Sequence, residues 1–206
     1  FLAIIAGMGN KPRLHFATSN PAKVRTLQSL LQTITVVSLV AELVEPQVET
    51  CTQVAIAKAR QAWDQHHTAL VVEDGGIVLK DCGGFPGPYD KPFREMAGLR
   101  GLTALAPSLP WPAWFSSAVV FCDTNGELTV FEGVSRTGTL VAQGDFGDKI
   151  ASNPWSDNGS VWDVFVVDGF DKPMSFCTPE SGSWTPSPTS PLAQFCNWIE
   201  QNKQLL

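Results

Sequence analysis

Leu14 to Ala17 is a short apolar run ending in Thr18-Ser19-Asn20-Pro21, where Asn20 suits a helix N-cap and Pro21 the first helical position. The pattern predicts a strand running directly into a helix. That helix carries Val24, Leu27, Leu30 and Leu31 on one face, the spacing of an element packed on a core. Ile34 to Val40 is β-branched and predicts a second strand. From Gln53 to about Gln65 an alanine-rich stretch with Val54, Ile56 and Ala57 predicts a second helix, with His66 and His67 at its end, and Ala69 to Val72 predicts a buried strand. Alternating strands and helices give an α/β chain. Farther on, Cys82 to Tyr89 holds three glycines and two prolines in eight residues, which breaks any regular ladder. Ser116 to Asp123 and Glu127 to Phe131 flank Thr124-Asn125-Gly126 and read as a β-hairpin. Val161 to Val167 reads as a late strand and Ser183 to Pro191 as a Ser/Thr/Pro loop. The last helix runs from Leu192 to about Asn202, started by Ser190 or Pro191, with Leu192, Phe195, Trp198 and Ile199 at helical spacing.

Composition narrows this picture. A chain of 206 residues with 44% hydrophobic and 17% charged residues can bury its own core as one domain, without metal or disulfide staples. Residues 8–206 are assigned to that domain, and Phe1 to Gly7, which precedes Met8, to an N-terminal extension or expression scar. This opening is apolar but much shorter than a bilayer span and lacks a basic leader, so no membrane association is expected. The net charge of −6, with no basic run, excludes a dedicated nucleic-acid binder. Five cysteines without a C-x-x-C pair speak against a zinc site or disulfide framework and for a reducing, cytoplasmic setting. Several motifs fail on context. Gly7-Met8-Gly9 precedes a strand instead of opening a helix, no Walker loop occurs, Asp145-Phe146-Gly147 lacks kinase companions, and the sequon at Asn158 stands alone.

Three features carry chemistry. The turn Thr18 to Lys23 presents a helix N-terminus with Lys23 about one turn in, an arrangement that holds phosphate, although a capped helix with a surface lysine has the same pattern. Glu73-Asp74-Gly75-Gly76 follows the apolar strand Ala69 to Val72. Carboxylates at a strand's C-terminal end sit where open α/β sheets place ligands, and they can bind Mg²⁺ or orient a water. An acidic solvated turn is the alternative. Third come Glu45 and Glu49 before the second helix, Lys58 within it, and Trp162-Asp163 in the late strand. A cation site needs two or three carboxylates, and a triphosphate needs two or more lysines.

Taken in order, these motifs resemble the inosine triphosphate pyrophosphatases, which hydrolyse deaminated purine nucleoside triphosphates. The family's T-G-N-x-x-K turn is similar to Thr18 to Lys23, its E/D-D-[ST]-G-L to Glu73 to Ile77, and its L-G-G-x-P-G-P-Y-x-x-x-F loop to Cys82 through Phe93. Lys58-Ala59 matches its K-A pair, and Phe131-Glu132-Gly133 with Thr137-Gly138-Thr139 echoes its F-x-G and G-x-I strands. The resemblance implies a curved mixed β-sheet with flanking helices in two lobes around a cleft. It also implies a homodimer and Mg²⁺-dependent attack of water on the α-phosphate of a nucleoside triphosphate, releasing the monophosphate and pyrophosphate. On it, Asp74 binds Mg²⁺ or serves as base beside Glu73, and Glu45 or Glu49 adds a carboxylate. Ser19, Asn20, Lys23 and Lys58 hold phosphates. Three departures stand out. Gln53 replaces a glutamate. Trp162-Asp163 is kept in Gly159 to Phe165, but the family's stacking aromatic is lost. The S-H-R motif gives way to Ser183 to Pro191, with Ser183, Thr185 and Ser187 as weakly directional hydroxyls. The phosphate end is retained and the base end altered, so Trp162, Asp163 and Trp184 are assigned to the base and altered or relaxed base selection is expected. A nucleotide-binding protein of the same fold with little turnover is the second reading. Trp111 and Trp114, in a proline-bound aromatic segment, are expected in the core or at a dimer interface.

Overall fold

The computed structural model describes residues 11–149, 160–178 and 186–206. Phe1 to Gly7, Ser183, Trp184 and Thr185 lie outside the described residues.

Six strands form one mixed sheet in the order β2-β1-β3-β4-β5-β6. β1 (Arg13–Ala17), β2 (Thr35–Leu39) and β3 (Leu70–Leu79) are parallel, joined by α1 (Pro21–Leu30) and α2 (Cys51–His66). β3, β4 (Trp111–Cys122), β5 (Leu128–Leu140) and β6 (Phe165–Val167) are antiparallel. α3 (Asp90–Ala104) precedes β4, and α4 (Pro191–Gln201) ends the order of helices. No helix among the described residues is long and apolar enough to cross a membrane.

The helix starts are fixed by local chemistry. Asn20 accepts the Ala22 N–H at 2.9 Å with Pro21 in the first turn. Thr50 and Gln53 cap α2 reciprocally, and His67 closes it in the left-handed conformation at φ 47°. The side chain of Gln53 is thus spent on the N–H groups of Glu49 and Thr50, both at 3.1 Å. Ser190 caps α4.

Two halves of the sheet have separate cores. Leu14, Phe16, Leu27, Val71, Phe121, Phe195 and Ile199 pack between α1, α4 and one face of the sheet, while α2 covers the other face through Ala55, Ala59 and Val72. Beyond them Ile77, Leu79, Leu102, Phe115, Leu140 and Phe165 form the second lobe.

Three sequence expectations are corrected. The strand at Ala69 to Val72 does not stop before the acidic pair. β3 runs on to Leu79, with Asp74, Gly75 and Gly76 opposite Ala118, Ser117 and Ser116. The glycine run allows close approach: a Cβ on Gly76 would lie 1.9 Å from the Gly87 carbonyl oxygen. Val161 to Val167 is only half strand. Val161–Asp163 is a 3₁₀ turn, because Ser160 accepts the Trp162 N–H and draws the backbone out of the ladder. β4 begins at Trp111, which packs on the second core and donates its indole N–H to the Lys80 carbonyl at 3.0 Å.

Candidate active site

Glu73 to Gly76 lie on β3 between the two cores, the stretch of this strand where neither lobe fills the space. Alternation along the strand sends the adjacent carboxylates to opposite faces. Glu73 meets α1, where Lys23 Nζ bonds its Oε2 at 3.2 Å and its carbonyl at 3.1 Å. Asp74 meets α2, where Lys58 Nζ bonds its Oδ1 at 3.2 Å and Glu45 Oε1 at 2.8 Å. One ammonium therefore bridges two carboxylates, whose oxygens stand within about 6 Å of each other.

Burial divides that triad. The Lys58 and Asp74 side chains are 13% and 14% exposed, whereas Glu45 is 50% exposed. Burial holds the Asp74 pKa above the ordinary carboxylate value, with Lys58 and Lys23 offsetting only part of it. The hydrogen bond from Lys58 instead holds Glu45 low. Burial opposes the charge on Lys58, and the facing Asp74 and Glu45 overcome it and raise its pKa.

Two cavities meet here. One, about 1060 Å³, is lined by Ser19, Asn20, Lys23, Glu45, Lys58, Glu73 and Asp74. The fold brings seven of the eight residues assigned to phosphate, metal and catalysis to one place. The eighth, Glu49, is exposed and does not line this cavity. Its separation from Glu45 follows from the α2 cap, to which its backbone is tied.

The other cavity, about 330 Å³, shares Asn20, Lys23, Glu73, Gly75 and Lys91 with the first and extends to Phe115, Ser117, Arg136, Val161 and Trp162. Trp162 stacks on Phe115 with centroids 4.4 Å apart and planes 11° apart. Pro186 and Ser190 bring the end of the Ser/Thr/Pro loop to its rim. Asp163 is not in its lining. Asp163 Oδ2 pairs with Lys149 at 2.7 Å, and Oδ1 is buried without a hydrogen-bond partner among the described residues.

Sequence reasoning missed Asp90, Lys91, Arg94 and Arg136 in this second cavity. Arg94 is held by Asp90 at 2.7 and 3.1 Å, and burial raises the Asp90 pKa against that pairing. Burial lowers the Arg136 pKa. The family's loop-to-helix stretch at Cys82 to Phe93 contains Asp90 and Lys91 and ends one residue before Arg94, whereas no motif marked Arg136.

No cluster of three or more His, Cys, Asp or Glu residues able to hold a metal occurs among the described residues. Mg²⁺ does not require one, since it keeps several waters and is held by one or two carboxylates together with substrate phosphates. Glu45 and Asp74, an oxygen-only pair beside a phosphate-sized cavity, fit that demand.

The chain is 28% identical to the dITP/XTP pyrophosphatase of Thermococcus kodakarensis over 92% of its own length and 98% of that protein's. It is 33% identical to the dITP/XTP pyrophosphatase of Pyrobaculum aerophilum over 76% and 80%. The Ham1 protein structure of Staphylococcus aureus superposes with a TM-score of 0.68 at 18% identity, covering 92% of this chain and 99% of that one. The Ham1 family model matches residues 14–181, and the chain belongs to the Ham1 family.

Proposed function

We propose that this protein hydrolyses a nucleoside triphosphate to the monophosphate and pyrophosphate with Mg²⁺, and that its base selection is altered, being made by residues other than the S-H-R motif of the inosine triphosphate pyrophosphatases it resembles. The observation that carries this reading is the junction of the two cavities. A cationic end holding Lys23, Lys58 and two carboxylates opens into an aromatic-walled end with room for a base. Relatives named dITP/XTP pyrophosphatases support it.

Asn20, Ser19 and the N-terminus of α1 would receive phosphate oxygens, with Lys23 and Lys58 supplying charge. Glu45 and Asp74 would hold Mg²⁺, which when bound neutralises charge developing on the α-phosphoryl group and the leaving pyrophosphate. Asp74, the more buried carboxylate, either completes that Mg²⁺ pair or takes the proton of the attacking water. The new bond joins water oxygen to the α-phosphorus, and the bond to the α–β bridging oxygen breaks. Glu73 steers Lys23 from the opposite face of β3. Trp162 and Phe115 offer the base an aromatic wall, and Trp184, outside the described residues, stays assigned to the base in this reading. A homodimer, with Trp111 and Trp114 near its interface, belongs to the same proposal, as does a cytoplasmic setting. No disulfide joins any of the five cysteines. A monomeric mass by light scattering would remove the dimer.

The test is pyrophosphate release across ITP, XTP, dUTP and the four common triphosphates. Asp74→Asn is expected to lose at least about 10²-fold of the Mg²⁺-dependent rate with an unchanged far-UV spectrum. Unaltered turnover in that variant, or no release from any triphosphate by the wild type, sinks the reading.

A further inference from the structure

Arg136 lines the smaller cavity, half-buried, and among the described residues it makes no hydrogen bond and no ion pair. Arg94, in the same cavity, is committed to Asp90. A guanidinium withdrawn from water without a partner lowers stability, so its place there points to a ligand that supplies the missing acceptors.

The backbone aims it. β4 and β5 pair in register from Cys122 opposite Leu128 to Ser116 opposite Val134, and then Phe115 pairs with Arg136, so that Ser135 is an extra residue in a bulge. Side chains alternate across a strand. Without that insertion Phe115 would face Ser135, and Arg136 would fall beside Trp114 on the other face. The bulge turns Arg136 to the face that carries Phe115, Ser117 and Gly75, all of which line the cavity.

We propose that Arg136 is the base-reading residue, its guanidinium donating to the O6 and N7 acceptors of a 6-oxo purine held in the cavity walled by Trp162 and Phe115. This deepens the reading of the cleft as a nucleotide site and rests on it. A guanidinium has donors only. The 6-oxo purines present two acceptors on that edge, which a planar fork can meet together, whereas adenine presents a donor at position 6 and leaves the arginine unpaired. Arg136 does not line the larger cavity with Lys58 and Asp74 but shares the smaller one with the aromatic walls Phe115 and Trp162. It restores, from β5, the directional donors lost with the family's S-H-R motif.

The test compares wild type, Arg136→Ala and Arg136→Lys in two assays. In turnover, Arg136→Ala is expected to lower the ITP-to-ATP ratio of kcat/KM about 10- to 100-fold, all of it on the ITP side. In calorimetry with the unreactive monophosphates, the IMP-to-AMP affinity ratio should fall by the same factor. Arg136→Lys keeps the charge without the fork and should not recover the ratio. Melting temperature should hold or rise in Arg136→Ala, since an unpaired buried charge is removed. An unchanged IMP-to-AMP ratio overturns the proposal, as does an equal loss for both nucleotides, which marks a phosphate contact. A lowered melting point with the ratio intact overturns it as well, since that marks a structural arginine. If no triphosphate is hydrolysed but the IMP preference depends on Arg136, the enzymatic reading fails and this assignment stands.

Discussion

Replacing Gly76 by alanine tests whether β3 and the Cys82-to-Tyr89 loop are locked together as the structure requires. The added Cβ would stand 1.9 Å from the Gly87 carbonyl oxygen, 2.8 Å from its carbon and 3.1 Å from Asp90 Cβ. Since Cβ atoms essentially never approach within 3.0 Å, Gly87 must retreat by about 1.1 Å. Retreat is opposed by the Leu79 N–H bond to the Phe85 carbonyl at 3.1 Å and by the bridge between Val78 and Pro86. Forced repacking of this kind costs about 2 kcal/mol, which for a chain of this length lowers Tm by roughly 4–8 °C. The same shift displaces the first turn of α3, with Asp90, Lys91 and Arg94 on the cavity wall. A misplacement near 1 Å at a reacting geometry costs about 10²-fold in kcat/KM. Calorimetric melting and pyrophosphate-release kinetics on the purified variant measure both. A Gly76→Ala protein that melts and turns over like the wild type would show that the loop does not press on β3 and would refute the packing account.

Lys23→Ala should raise KM for triphosphates about 10- to 100-fold while leaving kcat less affected, because its charge stands at the helix N-terminus where phosphate is proposed to bind. Equal nucleotide affinities by calorimetry would reduce it to a surface lysine paired with Glu73. Burial pushes the thiols of Cys51 and Cys196 up to about 12 and that of Cys122 to about 11 and raises that of the buried Cys177, whereas Cys82 is partly exposed. At pH 8 a thiol of pKa near 12 is ionised in roughly one molecule in ten thousand, so brief alkylation of the native protein should add a single label, at Cys82, read by mass spectrometry. Two or more rapid labels would contradict the packing around α2 and α4.

The sequence made the parallel half of the fold legible because its signals are local. Asn20 starts α1 by accepting the Ala22 N–H and Pro21 by its fixed φ, and Val24 and Leu27 state the buried face. The phosphate end was legible for a second reason: Lys23, Lys58, Glu45 and Asp74 are individually reactive types, and a single strand–helix order suffices to bring them together. What escaped depends on distant partners. Gly75 and Gly76 look like a turn until Ser116 and Ser117 pair with them. α3 carries Pro92, Gly98 and Gly101 and breaks its own periodicity at Gly98, where φ is 65°. Glu49 and Glu45 are alike in sequence and are separated only by the cap of α2. Arg136 could not be assigned to a face, because one bulged residue decides it.

The course of β3 through both cores has a mechanical consequence. Residues Leu70 to Val72 anchor in one lobe and Ile77 to Leu79 in the other, and the whole strand is laddered to β4 from Leu70 to Leu79. The acidic pair is therefore mounted on a beam common to both halves of the molecule. A hinge at this point would have to rupture a central ladder, which belongs to the slowest class of backbone opening. Admission and release of a ligand then fall to the periphery, to the cavity wall that α3 supplies through Asp90, Lys91 and Arg94. The carboxylates stay fixed while the walls do the moving, so their spacing is the same before, during and after each visit of a ligand.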